Sequence, residues 1–147
     1  MRIVIANDHG AVALKRELAS WLESHGHTVV NLGVDTEDRV DYPDKAVEAC
    51  AEYRKGGYDF GILLCGTGIG ISMAANKLAG IRCALIHDEY TARMAREHND
   101  ANFVAFGGRV AYAVPPTSVL ETFMNAKFEG GRHSARVAKI DRLAQSS

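Results

Sequence analysis

No stretch of this sequence approaches the roughly 18 consecutive apolar residues of a membrane-spanning helix, which excludes a span of that kind. The opening residues, MRIVIANDHG, have no long apolar run behind their single arginine and no small-residue cleavage signal, so no secretory leader is expected there. Cysteine is scarce: Cys50, Cys65 and Cys83 are odd in number and lack zinc-type spacing. That fits a reducing cytoplasm better than a disulfide framework. An excess of one charge is lacking too. The formal net charge of −1 gives no general pull toward nucleic acid or a membrane surface, so any anion site must be local. Nor does any pair of histidines have a metal-site spacing, and no metal is expected.

What is present is ordinary for a globular chain, with 47% hydrophobic and 24% charged residues. A chain of 147 residues is the usual size of one domain and can bury roughly 70% of its unfolded surface. With no repeat, linker or low-complexity tract in it, residues 1–147 read as a single domain.

Short β-branched or apolar runs recur at 3–6, 28–32, 60–64, 83–86 and 103–106, and helical spacings lie between them. Ala11, Leu14, Leu18, Trp21 and Leu22 share one face, and Gly26 supplies a stop. A second helix opens at Pro43-Asp44, buries Ala46, Val47 and Cys50, and ends at Gly56-Gly57. A third closes over 76–80 and a fourth spans 88–98. A fifth follows Pro115-Pro116 and covers Val119, Leu120, Phe123 and Met124. Such alternation predicts a parallel sheet with helices on both faces. Beyond residue 128 the rhythm changes. Gly130-Gly131 breaks the chain, Ser134 is a candidate cap, and Ala135, Val137, Ala138, Ile140 and Leu143 form a mixed apolar stripe. A terminal helix of this kind docks either on its own domain or on another subunit.

In an open parallel sheet, ligands bind beyond the carboxyl ends of the strands. The strongest local signal there is Cys65-Gly66-Thr67-Gly68-Ile69-Gly70. Its glycines let the backbone approach a ligand closely, and amides at a helix start can hold an anion. A dinucleotide fingerprint counted from Gly66 would need glycine where Ile71 stands, and a P-loop would need a Gly-Lys-Ser/Thr ending that is missing. A tight structural turn is the plain alternative. Cys65 argues against it, since a thiolate at a helix start could take a proton from carbon beside a carbonyl, with the loop amides stabilising the enediolate. Cys50 and Cys83, inside apolar patterns, read as inert core. Arg132 and Arg136 are four apart and share a helix face; a shared phosphate or a solvated basic face would each account for them. His9 and His98 are placed at the active edge, beside Asp8 and Asn99.

Taken in order, these segments resemble one family. They are Asp8-His9-Gly10, Asp41-Tyr42-Pro43, Cys65-Gly66-Thr67-Gly68-Ile69-Gly70-Ile71-Ser72, Ala74-Ala75-Asn76-Lys77, His98-Asn99-Asp100, Gly107-Gly108-Arg109 and Glu129-Gly130-Gly131-Arg132-His133. Together they are similar to the type B ribose-5-phosphate isomerases, a family that also contains galactose-6-phosphate and allose-6-phosphate isomerases. Any one motif is weak, but the ordered set, from residue 2 to about residue 140, is specific.

The resemblance implies a Rossmann-like three-layer α/β/α sandwich, with a five-stranded parallel sheet in the order 2-1-3-5-4 and a C-terminal helix. It implies a cofactor-independent enzyme interconverting ribose 5-phosphate and ribulose 5-phosphate in the pentose phosphate pathway. It also implies a homodimer with shared active sites, often paired into a tetramer, the His98–Arg109 region coming from the other subunit. Carried over by residue, Cys65 shuttles the proton, and Thr67 with the five amides from Gly66 through Gly68 to Gly70 holds the enediolate. His98 with Asp8 opens the furanose ring, and Tyr42 and Asn99 contact sugar hydroxyls. His9, Arg109, Arg132 and Arg136 bind phosphate. A branch of the family replaces the cysteine base by a glutamate; Ile71 stands at that position here, which leaves the role to Cys65. Three rival readings are a six-carbon sugar phosphate isomerase, a non-catalytic sugar-phosphate sensor and a nucleotide-binding flavodoxin-like module. The galactose 6-phosphate enzymes use two paralogous subunits. A sensor needs neither Cys65 nor His98, and the glycine fingerprints of a nucleotide module are incomplete.

Overall fold

The computed structural model describes residues 1–143. Five parallel strands, β1 (Arg2–Asn7), β2 (Thr28–Asn31), β3 (Phe60–Cys65), β4 (Cys83–Leu85) and β5 (Phe103–Gly107), form one sheet in the order β2-β1-β3-β5-β4. This is the strand order that the family resemblance implies. After β1, a 3-10 turn at His9–Ala11 leads into α1 (Val12–Ser24). The other helices are α2 (Tyr42–Arg54), α3 (Ile69–Ala75), α4 (Glu89–Glu97), α5 (Pro116–Asn125) and α6 (Arg132–Leu143).

Alternation along the strands builds two cores, because successive side chains point to opposite faces. Ile3, Ile5, Ile62, Leu64, Val104 and Phe106 face a layer that includes Leu14, Leu18 and Leu22 of α1, Ala92 of α4 and Phe123 of α5. Val4, Ala6, Leu63, Cys65, Phe103 and Ala105 face Ala46, Ala49 and Cys50 of α2 and Ile71 and Ala75 of α3. The central strand β3 is buried along its whole length, as a parallel strand covered on both faces must be. Among the described residues, no helix is long and apolar enough to cross a membrane.

Two local expectations are corrected. Val47 is exposed, because α2 turns Ala46, Ala49 and Cys50 inward, and the position after Ala46 is rotated off that stripe. Ser134 does not cap α6; the helix has already begun at Arg132, and the Ser134 N–H bonds the Gly131 carbonyl. The stripe on α6 is only partly used. Val137 is its buried residue, whereas Ile140 and Leu143 face out.

Candidate active site

At the carboxyl edge of the sheet, β3 ends in Cys65 and the chain turns at once into α3. The turn needs glycine at position 68. Its φ is +77°, and a Cβ there would lie 2.6 Å from Leu85 Cδ1 and 2.9 Å from the Phe106 carbonyl carbon. In that conformation the Gly68 N–H donates to Cys65 Sγ at 3.1 Å. Thr67 Oγ1 accepts the next amide, that of Ile69, at 3.2 Å. Two of the five amides expected to hold an enediolate are therefore already engaged inside the loop. Cys65 is buried against the α2–α3 layer, and only 4% of it is exposed.

Four further candidates surround this loop. Asp8 follows β1, its N–H bonded to the Leu64 carbonyl at 3.0 Å and its Oδ1 accepting the Gly10 N–H at 2.8 Å. Asp8 thus shapes the turn that presents His9. His9 Nδ1 accepts the Val40 N–H at 3.4 Å. Tyr42, in the first turn of α2, lays its ring over the loop: a Cβ on Gly70 would lie 2.6 Å from Tyr42 Cζ. Arg109 lies over Gly66, with its N–H donating to the Gly66 carbonyl at 2.9 Å and Cδ 3.5 Å from where a Gly66 Cβ would stand. His9, Gly10, Gly108, Arg109 and Glu37 line a cavity of about 240 Å³.

The remaining candidates are elsewhere. His98-Asn99-Asp100 precedes β5, and in a parallel sheet a segment that precedes a strand lies at the amino edge. The register makes this concrete. Cys65 pairs with Gly107, whereas the Asn102 carbonyl accepts the N–H of Gly61, four residues upstream of Cys65. Four residues of strand, at about 3.3 Å each, put the two groups roughly 13 Å or more apart. His98 and Asn99 are therefore not at the edge that holds Cys65, and Asp8 is not the partner of His98 within one chain. Arg109 belongs with its own chain's glycine loop, not with the His98 group as the resemblance implies.

His98 has different neighbours. Its ring stacks on His133 of α6, with centroids 4.2 Å apart and planes 12° from parallel. Glu129 Oε2 lies 3.5 Å from His133 Nε2 and 3.9 Å from His98 Nε2. The Glu129 N–H bonds the Glu97 carbonyl at 3.0 Å, which pins this segment to the end of α4. Arg132 Nε donates to His133 Nε2 at 3.3 Å. Burial holds the His133 imidazole below the ordinary histidine range; His98, Arg132 and Arg136 act the same way and Glu129 opposes them. A cavity of about 540 Å³ opens beside this edge, lined in part by Asn99, Arg82, Lys77, Asp141 and Ile140, and it does not reach Cys65.

The ligand atoms of His98, Glu129 and His133 all lie within 4.8 Å of one another, a cluster that sequence spacing concealed. Two nearly parallel rings, however, keep their nitrogen lone pairs in parallel planes that cannot meet at one ion, and Arg132 already holds His133 Nε2. Sequence reasoning missed Glu129 and His133 as site neighbours. Their i,i+4 spacing was visible, but their contact with His98 joins segments about thirty residues apart. The other cysteines behave as core: burial pushes the Cys50 thiol up to about 12 and also raises that of Cys83.

Comparison with known proteins agrees with this architecture. A family model described as Ribose/Galactose Isomerase matches residues 3–140. Ribose-5-phosphate isomerase B of Escherichia coli is 40% identical, the match covering 98% of this chain and 97% of that protein. The solved structure of Clostridium thermocellum ribose-5-phosphate isomerase B superposes with a TM-score of 0.95 at 44% identity, covering 99% of each chain. The galactose-6-phosphate isomerase subunit LacB of Clostridium acetobutylicum is 37% identical over 99% of this chain and 85% of its own.

Proposed function

We propose that this chain, which belongs to the ribose/galactose isomerase family, interconverts ribose 5-phosphate and ribulose 5-phosphate in the cytoplasm without metal or organic cofactor. The observation that carries the reading is Cys65 Sγ, held against the Gly68 N–H inside a glycine turn at the carboxyl edge of the sheet. A thiolate there removes the C2 proton of the open-chain aldose. The C2–H electron pair becomes the C1–C2 double bond, and the C1 carbonyl oxygen takes the negative charge. The Thr67 hydroxyl and the amides of Gly66, Thr67 and Gly70 are the donors left to hold that oxygen. The thiol then returns the proton to C1 as the O2 proton passes to O1, which leaves the ketose. His9 and Arg109, on one small cavity, bind the phosphate together with Arg132 and Arg136.

The second group, His98, Asn99, Arg132 and Arg136, is at the other end of its own sheet, too far to serve Cys65 of the same chain. In our reading a second copy brings it, so the working unit is a homodimer with two shared sites, open to further pairing into a tetramer. His98 then opens the furanose ring, Asp8 assists from the facing chain, and Tyr42 and Asn99 contact sugar hydroxyls.

The kinship with LacB supports a second reading, in which the substrate is a six-carbon sugar phosphate. Ketose formation from ribose 5-phosphate, galactose 6-phosphate and allose 6-phosphate, assayed in parallel, separates the two. A kcat/KM highest for ribose 5-phosphate supports the first, and one highest for a hexose phosphate replaces it. Binding of all three without turnover would make the chain a sensor.

A further inference from the structure

Arg82 stands immediately before β4, at the amino edge, and its side chain is 16% exposed. Every arm of its guanidinium is in use. Nε donates to the carbonyls of Asn99 and Asp100 at 3.3 and 3.0 Å. Nη2 donates to the Asp100 carbonyl at 2.8 Å and to Asp100 Oδ2 at 3.2 Å. Nη1 grips both carboxylate oxygens of Asp141 on α6, at 2.9 and 3.1 Å. From the other side, Arg96 of α4 donates to Asp100 Oδ1 at 3.2 Å.

The turn held in this way is unusual. Asp100 has φ +44°, the sole positive φ of a non-glycine residue among those described. Side-chain-bearing residues enter that region reluctantly, aspartate less so than most, and stay where neighbours over-determine the geometry. The neighbours here are Arg82 and Arg96. Directly upstream of the turn are Asn99 and His98, and the helix tied down by Asp141 carries Arg132 at its start and Arg136 one turn further on. One planar fork therefore joins the turn that carries the ring-opening histidine to the helix that carries two phosphate ligands. A lysine could not reproduce it, because a single ammonium cannot serve two carbonyls and a bidentate carboxylate in different directions.

We propose that Arg82 is a positioning residue for the isomerase reaction, acting through the left-handed Asp100 turn to aim His98 and Asn99 at a sugar phosphate. The inference rests on the isomerase reading above. Arg82 touches no reacting atom, and its effect passes through His98.

The test is a double-mutant cycle on the full-length enzyme with Arg82→Gln, His98→Asn and the double variant. It is read as kcat/KM for ribose 5-phosphate and as deuterium uptake from D2O at C1 of ribulose 5-phosphate. Arg82→Gln is expected to lower kcat/KM by about tenfold or more, the scale of lost charge-assisted bonds. The double variant should fall no more than about threefold below His98→Asn alone, since groups acting as one unit are not additive. Arg82→Lys should recover little. Deuterium uptake, which needs Cys65 but not an opened ring, should fall far less than kcat/KM. Losses that multiply in the double variant, or equal losses in both readouts, overturn the proposal and leave Arg82 a purely structural residue. If Arg82→Gln does not fold, the same cycle with Arg82→Lys decides by the same criteria. Absence of isomerase activity in the wild type would instead sink the isomerase reading, and His98→Asn at wild-type rate would sink the role of His98 and this proposal with it, leaving the isomerase reading intact.

Discussion

The amide of Gly68 points at the sulfur of Cys65 from 3.1 Å, so the proposed base and the left-handed turn behind it form one unit. Changing either residue changes both, but with different signatures.

Cys65→Ala should abolish isomerisation and leave the circular dichroism spectrum intact. Removing a general base costs on the order of 10²–10⁴ in rate, and no neighbouring side chain offers a substitute. A folded variant with near wild-type turnover would remove Cys65 from the mechanism.

Gly68→Ala should lose stability as well as rate. A left-handed conformation costs a non-glycine residue roughly 1–2 kcal/mol, and the new methyl would also press on Leu85 and the Phe106 backbone. Thermal unfolding should shift down by several degrees, at about 2–4 °C per kcal/mol for a chain of this size. An unchanged Tm would show that the turn adapts without strain.

His98→Asn should separate ring opening from proton transfer. Ribulose 5-phosphate has no furanose form, because its C5 oxygen is esterified, so exchange at C1 bypasses the ring-opening step. Conversion of ribose 5-phosphate should fall while deuterium uptake from ribulose 5-phosphate persists; Cys65→Ala should lose both. Parallel loss of the two in His98→Asn would assign the histidine to the enediolate step instead.

Cys65→Ala, inactive, and His98→Asn, strongly impaired toward ribose 5-phosphate, should complement one another when refolded together. In a mixed dimer one of the two shared sites has both residues intact. Recovery well above either parent is expected. If heterodimers form without recovery, the whole site is contained in one chain.

Chelator treatment should leave turnover unchanged, because the proposed electrophiles are a hydroxyl and backbone amides, and the stacked His98 and His133 cannot aim at one ion as they stand. Activity lost to a chelator and restored by one divalent cation would assign a metal to His98, Glu129 and His133.

Much of this protein is written locally. The strand runs, the helical stripes of α1 and α5 and the glycine turn after Cys65 are properties of short windows, where alternation and the 3.6-residue period can be read directly. The burial of Cys50 and Cys83 follows from the same patterns. Val47 and Ser134 were misjudged because a one-residue change in where a helix starts or faces decides burial and capping, and only packing against the sheet settles that phase. The location of His98 is a different kind of case. A residue before a parallel strand lies at the opposite edge from one after it, so the separation from Cys65 was implicit once the sheet was taken as parallel. The partners of His98 were not implicit. Its stack on His133, the reach of Glu129 to both rings and the grip of Arg82 on Asp100 and Asp141 join segments distant in sequence. Only the strand order and the return of α6 along the amino edge bring them together. Sequence determined which groups the chain carries at each strand end; the tertiary structure decided which of them can meet, because proximity depends on strand direction and order rather than on spacing along the chain.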